Sequence, residues 1–215
     1  MHVDVEPLPA ERIPEALEVL VQSFMQDANI NYLLPDVSSR PATLRKLMQV
    51  LLRIMRKHGE AYCVIQTRVV AVFLVVPPGR YPIPSLRLFA DLLSLCWKVS
   101  PAFVFRLLRD THAIESAHHR LMKDPHWYLF MLAAHPVEGR FAGRALLEYV
   151  LARADKDQVP AYCEVFNKGN LPLFARQYGF SVMEEINAGK EGRHMWSMLR
   201  AARQETAERH VREQP

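Results

Sequence analysis

Cysteine is scarce in this chain and poorly placed for cross-linking. There are three, Cys63, Cys96 and Cys163, far apart and without a C-x-x-C pair, which argues against a disulfide framework and against a cysteine-based zinc site. A reducing cytoplasm is the expected setting. Long apolar runs are missing too. The longest cover residues 69–76 and 128–134, far short of the roughly 20 residues that cross a bilayer, so no membrane span is expected. Met1-His2-Val3-Asp4-Val5-Glu6 has neither the basic start nor the apolar stretch of a signal peptide. Charge of one sign is also lacking: 27 Lys and Arg against 23 Asp and Glu leave +4. That excess is too small and too dispersed to indicate a nucleic-acid partner. The histidines, His118-His119, His126, His135 and His194 among them, show no H-x-x-x-H spacing, so no metal site is expected and surface or hydrogen-bonded roles are the default. Neither a G-K-[ST] P-loop nor a G-x-G-x-x-G fingerprint is present.

What is present is the mixture of an ordinary globular chain: 215 residues, half of them hydrophobic. One domain over residues 1–200 and a polar tail over 201–215 are expected. Apolar periodicity predicts a strand over 2–8, a helix over 10–25 and a second, basic amphipathic helix from about 42 to 57. The basic side of that helix is read as a solvated face. Strands follow at 61–66 and 69–76, the latter continuous enough in Val, Leu and Phe to be central and buried on both faces. Pro77-Pro78-Gly79 ends it.

Residues 84–122 read as a greasy helical insert broken at Ser100-Pro101. It can wall an apolar acceptor pocket, bury itself, or form a homodimer contact. Beyond it the pattern alternates: strand 127–134, helix 141–154, strand 160–166, short helix 170–178, and strands 180–186 and 194–199. This order predicts an α/β architecture with at least one parallel crossover.

Two segments carry the chemistry. His135-Pro136-Val137-Glu138-Gly139-Arg140-Phe141-Ala142-Gly143-Arg144 leaves a strand, turns through small residues and enters a helix. A helix N-terminus offers free N–H groups and partial positive charge to a phosphate, and Arg140 and Arg144 add charge. The second segment runs from Tyr162 through Glu164, Asn170-Leu171-Pro172 and Tyr178-Gly179-Phe180. It places Glu164 mid-strand in apolar company, where a carboxylate is paired or working.

Strand, glycine-bearing turn, helix, a strand ending in a glutamate, N-x-P, G-F and a final W-x-M together resemble the GNAT superfamily of acyl-CoA N-acyltransferases, over nearly the whole chain. Within it, the motifs resemble those of puromycin N-acetyltransferase and its relatives. The resemblance implies a GNAT fold: a mixed, mostly antiparallel sheet that splays between strands 127–134 and 160–166, flanked by helices, with the helical insert before the central strand. It implies acetyl-CoA as acyl donor, with pantetheine amides pairing to Leu132, Ala133 and Ala134 and the pyrophosphate over Gly139, Arg140, Ala142, Gly143 and Arg144. Asn170 matches the family's N-x-P asparagine at the cofactor. Glu164 is then the base that deprotonates a small-molecule amine, assisted by Tyr128, His126 or a water chain, and the apolar insert hints at a hydrophobic amine.

The sequence departs from the family at three places. Glu138 and Phe141 stand where the turn motif has glutamine and glycine. The tyrosine that protonates the departing thiolate is replaced by Phe174 or Ala175, leaving Tyr178 as the nearest candidate. An enzyme is therefore the first reading. A GNAT-fold acyl-CoA sensor or interaction protein is the alternative.

Overall fold

The computed structural model describes residues 3–83, 101–139, 141–187 and 194–204. Arg140 and the first part of the insert, residues 84–100, lie outside them, as does the tail from 205.

Seven strands form one open sheet in the order β1-β2-β3-β4-β5-β7-β6. They are β1 (Val5–Pro7), β2 (Glu60–Ile65), β3 (Val69–Val76), β4 (Trp127–Ala134), β5 (Ala161–Val165), β6 (Ser181–Asn187) and β7 (His194–Arg200). Every neighbouring pair is antiparallel except β4 and β5. β3 holds the centre. All eight of its residues are buried, and each such aliphatic side chain contributes roughly 1.5–3 kcal/mol of transfer free energy.

One face is covered by α1 (Ile13–Phe24), α3 (Arg40–His58) and α4 (Pro101–Leu121); α5 (Ala142–Lys156) and α6 (Leu171–Tyr178) cover the other. α1 lays Ala16, Leu17, Leu20 and Val21 into the core, as its periodicity requires. The expected helix over 10–25 begins instead with a 3-10 turn, Ala10–Arg12. The loop expected near Asn29 and Asn31 contains a short helix, α2 (Ala28–Leu33). Asp27 nucleates it, its carboxylate accepting from the N–H groups of Asn29 and Ile30. Within the insert, the described helix α4 begins at Pro101; the expected break at Ser100-Pro101 adjoins residues outside the described ones. α4 buries Ala117 against Ile186 of β6 and Met195 of β7, so this part closes over the sheet, while Phe105 and Leu108 stay exposed.

One ion pair, buried at its arginine end, ties the second half together. Arg200 of β7 forks onto Asp155 of α5 at 2.8 and 2.7 Å, and its Nε donates to the Tyr178 carbonyl. Burial works against the Asp155 carboxylate, but Arg200 and the Arg203 amide outweigh it and hold its pKa low. Because the folded pKa is depressed, this stabilisation is present above the unfolded pKa near 4 and is lost as pH falls. Arg200→Ala is expected to cost about 3 kcal/mol at neutral pH. A urea midpoint that does not move would contradict this.

Candidate active site

The parallel pair β4–β5 opens almost at once. Its register holds only at Trp127↔Ala161 and Tyr128↔Tyr162; beyond Tyr128 the strands part. The β3–β4 register slips just there, between Leu74 and Val75, leaving Phe130 as an extra residue in β4. Such a bulge bends a strand and re-aims its side chains. Here it puts Tyr128, Phe130 and Met131 on the α1/α3/α4 face and returns Leu132 and Ala134 to the other.

The bulge also sets which main-chain groups look into the cleft. His135 donates its N–H to the Val70 carbonyl at 2.7 Å. Alternation along an antiparallel ladder then turns Ala133 toward β3 as well, while Leu132 and Ala134 turn away from it, toward β5. Of the three residues expected to pair with pantetheine, Leu132 and Ala134 therefore face the opening. Ala133 does not, because its main chain is spent on Val72. The Ala134 carbonyl already accepts from Ser23 Oγ of α1 at 2.7 Å.

At the open end the chain leaves β4 in a tight turn into α5. His135 organises it: its Nδ1 accepts from the Glu138 N–H at 3.1 Å, and its carbonyl accepts from Gly139. The absence of a side chain at Gly139 has a cause beneath the turn, not above it. A Cβ there would lie 2.6 Å from both the His135 nitrogen and the Val70 carbonyl oxygen. At Gly143 a Cβ would meet only Ala134 Cβ, at 3.4 Å. Gly139→Ala is therefore expected to displace the turn and cost about 1–3 kcal/mol, whereas Gly143→Ala, inside a helix, should stay within about 1 kcal/mol of the parent or gain. Equal thermal shifts for the two variants would contradict this placement.

Glu138 does not point its charge at the helix end. Arg68, in the β2–β3 turn, holds it through two bonds of 3.0 and 2.6 Å, and that contact keeps its pKa low. Ala142 is buried at the first turn of α5, and Arg144 is exposed and paired with Glu148. The N–H groups of Ala142 and Gly143 bend back to the Gly139 carbonyl, the second at a long 3.4 Å. Asn170 is exposed, immediately before α6, at the same end of the sheet.

On the α4 face, the candidate base and its assistant meet. Tyr128 donates its hydroxyl to Glu164 Oε2 at 2.9 Å. The Glu164 side chain is only 4% exposed. Burial raises its pKa to about 7; bonds from Tyr128 and Tyr162 pull the other way, and Glu115 adds to the rise. Tyr162, whose hydroxyl beside Glu164 also pulls that pKa down, donates to Ser197 Oγ at 2.9 Å. Burial, and next the Glu164 carboxylate, push the Tyr128 phenol well above its ordinary value, so it stays a donor.

The structure does not bring Tyr178 to this group. Its ring is buried on the α5/α6 face with Phe174 and Phe180. Burial raises its pKa first, then Glu148, with Arg144 opposing. The phenol thus looks toward the first turns of α5, away from Glu164.

Sequence reasoning missed His118 and Tyr81. His118 lies on α4, wholly buried, stacked between Tyr81 at 3.9 Å and Tyr162 at 4.3 Å. A histidine at a core-facing position of a greasy helix was the available signal.

No family model matches the sequence, and no curated protein matches it. Solved structures do. A "histone acetyltransferase HPA2 and related acetyltransferase" from Corynebacterium glutamicum superposes with a TM-score of 0.70 at 22% identity, over 96% of this chain and 99% of that one. Arylalkylamine N-acetyltransferase 2 from Aedes aegypti gives 0.58 at 14%, over 94% and 100%. A polyamine N-acetyltransferase from Drosophila melanogaster, described as forming N-acetylagmatine, gives 0.57 at 12%, over 93% and 100%. The fold is the one these acetyltransferases share. Among the described residues, no helix is long and apolar enough to cross a membrane, and no group of three or more His, Cys, Asp or Glu could hold a metal ion.

Proposed function

We propose that this chain, which has the GNAT fold, moves an acetyl or other acyl group from acyl-CoA to a small-molecule amine by direct attack in a ternary complex. The observation that carries the reading is Glu164: a buried carboxylate on the wall of the β4–β5 opening, with a pKa of about 7 and an oriented hydroxyl on one oxygen. A base with that pKa is half-ionised at neutral pH, where general-base catalysis is most effective. An amine arrives as an ammonium ion. Glu164 takes one proton from it, and the freed electron pair attacks the thioester carbonyl. The C–N bond forms, the C–S bond breaks, the thiolate leaves with the electron pair, and the second proton shed by the nitrogen as the amide forms passes through water to that thiolate. A main-chain N–H of the Leu132–Ala134 edge can hold the developing oxyanion. The thiolate, with an ordinary pKa of about 8.5, leaves tolerably without a dedicated acid.

Acetyl-CoA as donor is supported by the opening itself and by the turn into α5. Tyr81, Tyr128 and Phe130 pack ring against ring on the face that carries Glu164, and an acceptor that is itself aromatic or hydrophobic suits these surroundings best. A cytoplasmic setting accords with the free, buried thiols of Cys63 and Cys163. Calorimetric titration with acetyl-CoA tests the donor half: one-to-one binding is expected, unchanged in Glu138→Gln because Arg68 already neutralises that carboxylate. No binding by the unmodified protein would remove the reading.

A second reading, an acyl-CoA sensor that turns over nothing, is favoured by one observation. Phe174 and Ala175, the two residues that can stand at the family's tyrosine position, have no proton to give, Phe174 packs against Phe180, and Tyr178 does not replace them.

A further inference from the structure

Two buried polar atoms face each other with no partner. Glu164 Oε1 and His118 Nδ1 are both without a hydrogen bond, and they are 3.9 Å apart. Leaving a buried polar atom unpaired costs about 1–3 kcal/mol, so the pairing of two such atoms calls for a chemical reason.

The protons on the neighbouring rings can be placed by elimination. His126 Nδ1 lies 2.8 Å from the Asp124 carbonyl oxygen. A carbonyl can only accept, so His126 carries its proton on Nδ1 and its Nε2 is bare. His118 Nε2 lies 2.7 Å from that bare nitrogen, so His118 must carry its own proton on Nε2. Burial, with His126 and His119 nearby, pushes the His118 pKa down to about 3, so this ring is neutral at working pH. Its Nδ1 therefore presents a lone pair to Glu164 Oε1. Stacking on Tyr81 and Tyr162 holds the plane of the ring, and the bond to His126 Nε2 fixes which edge carries Nε2.

We infer that His118 is a positioning residue for the base: its bare Nδ1 is the acceptor for the proton that Glu164 takes up on Oε1, with His126 and the Asp124 carbonyl fixing the tautomer. The inference rests on the acyl-transfer reading of Glu164 and deepens it. Oε2 already accepts from Tyr128, which leaves Oε1 for the incoming proton. One N–H bond of the ammonium breaks, one O–H bond forms on Oε1, and the electron pair stays on the amine nitrogen. The new O–H then donates to His118 Nδ1, and the 3.9 Å gap closes to bonding distance. A bond made only to the protonated carboxyl favours that form and raises the pKa. The other titratable groups facing Glu164 are Tyr128 from β4, Tyr162 from β5, Glu115 from α4 and Tyr81 from the segment after β3. None of them presents a bare nitrogen to the proton.

Nitrogen-15 NMR of the unmodified protein at neutral pH reads the tautomers directly. Neutral rings with Nε2–H on His118 and Nδ1–H on His126 are expected. A His118 that is Nδ1-protonated, alone or doubly, overturns the inference. The second arm follows the Glu164 carboxyl by infrared titration, its band assigned by difference against Glu164→Gln. In His126→Phe, His118 loses its acceptor and should move its proton to Nδ1, where it donates to the carboxylate. The titration should then fall by about one pH unit, a tenfold change in the ionised fraction below the midpoint. His126→Gln keeps an acceptor and should restore the parent value. An unchanged titration in His126→Phe, or an equal fall in both variants, contradicts the assignment. Neither arm needs acyl-CoA or an amine, so absence of turnover would count against the acyl-transfer reading without touching the tautomers.

Discussion

Replacing Glu164 with glutamine should lower kcat/KM for the amine by about 10²–10⁴-fold near neutral pH, while making the protein more stable at pH 8. The two effects share one cause. The carboxylate is buried, and its pKa is raised from the ordinary 4.5 to about 7. A raised folded pKa means the group contributes its full share to stability only while protonated. That share is lost as pH climbs through 7. Glutamine keeps an oxygen for the Tyr128 hydroxyl and carries no charge to bury, so it should relieve on the order of 3 kcal/mol above pH 8 and little below pH 5. The activity loss should shrink as pH rises and more free amine exists. The acid limb of the rate profile near pH 7 should vanish with the carboxylate. A variant that is as active as the parent and no more stable at pH 8 would deny Glu164 both roles.

The second large effect concerns the main chain of β4. Leu132→Pro is expected to lower turnover by about 10²-fold with modest loss of stability. Ala133→Pro, one residue on, should cost about 3 kcal/mol or more. Proline removes an N–H, and it is tolerated in a strand only where that N–H is not part of a ladder. The His135–Val70 bond puts Ala133 in the β3 ladder and frees Leu132 for the opening. Removing one oxyanion donor typically costs 10²–10³ in rate. Thermal melts and steady-state assays on the two variants separate these outcomes. A Leu132→Pro protein that unfolds while Ala133→Pro stays intact would reverse the assigned orientation.

Much of the architecture was legible in the residues. Val69–Val76 reads as a central strand because it is apolar on both faces, and the crossover from β4 through α5 to β5 follows from the alternation of periods. Glu164 stood out because a carboxylate inside the segment 161–165 has no solvent to face. What the residues hid are contacts made across long separations or by geometry with no sequence signature. Nothing local pairs Arg68 with Glu138, so in the sequence the carboxylate in the turn reads only as a departure from the family's glutamine. The extra residue at Phe130 leaves the β4 run unbroken, yet it decides that Leu132 faces the opening and Ala133 does not. α2 depends on the Asp27 side chain accepting from two N–H groups. His118 reads as one more residue on a greasy helix until α4 closes over β5. Tyr178 reads as available because it is the tyrosine nearest to Phe174 and Ala175 in sequence; α6 turns it to the opposite face.

The measurement that bears most directly on the account is release of free CoA thiol from acetyl-CoA across a panel of small amines, run in parallel on the unmodified protein and on Glu164→Gln. Thiol release that requires an amine, is strongest with aromatic or hydrophobic acceptors, and falls at least a hundredfold in Glu164→Gln at pH 7 is the result expected. Tight acetyl-CoA binding with no amine-dependent thiol release from any acceptor would contradict it and leave the sensor reading in its place.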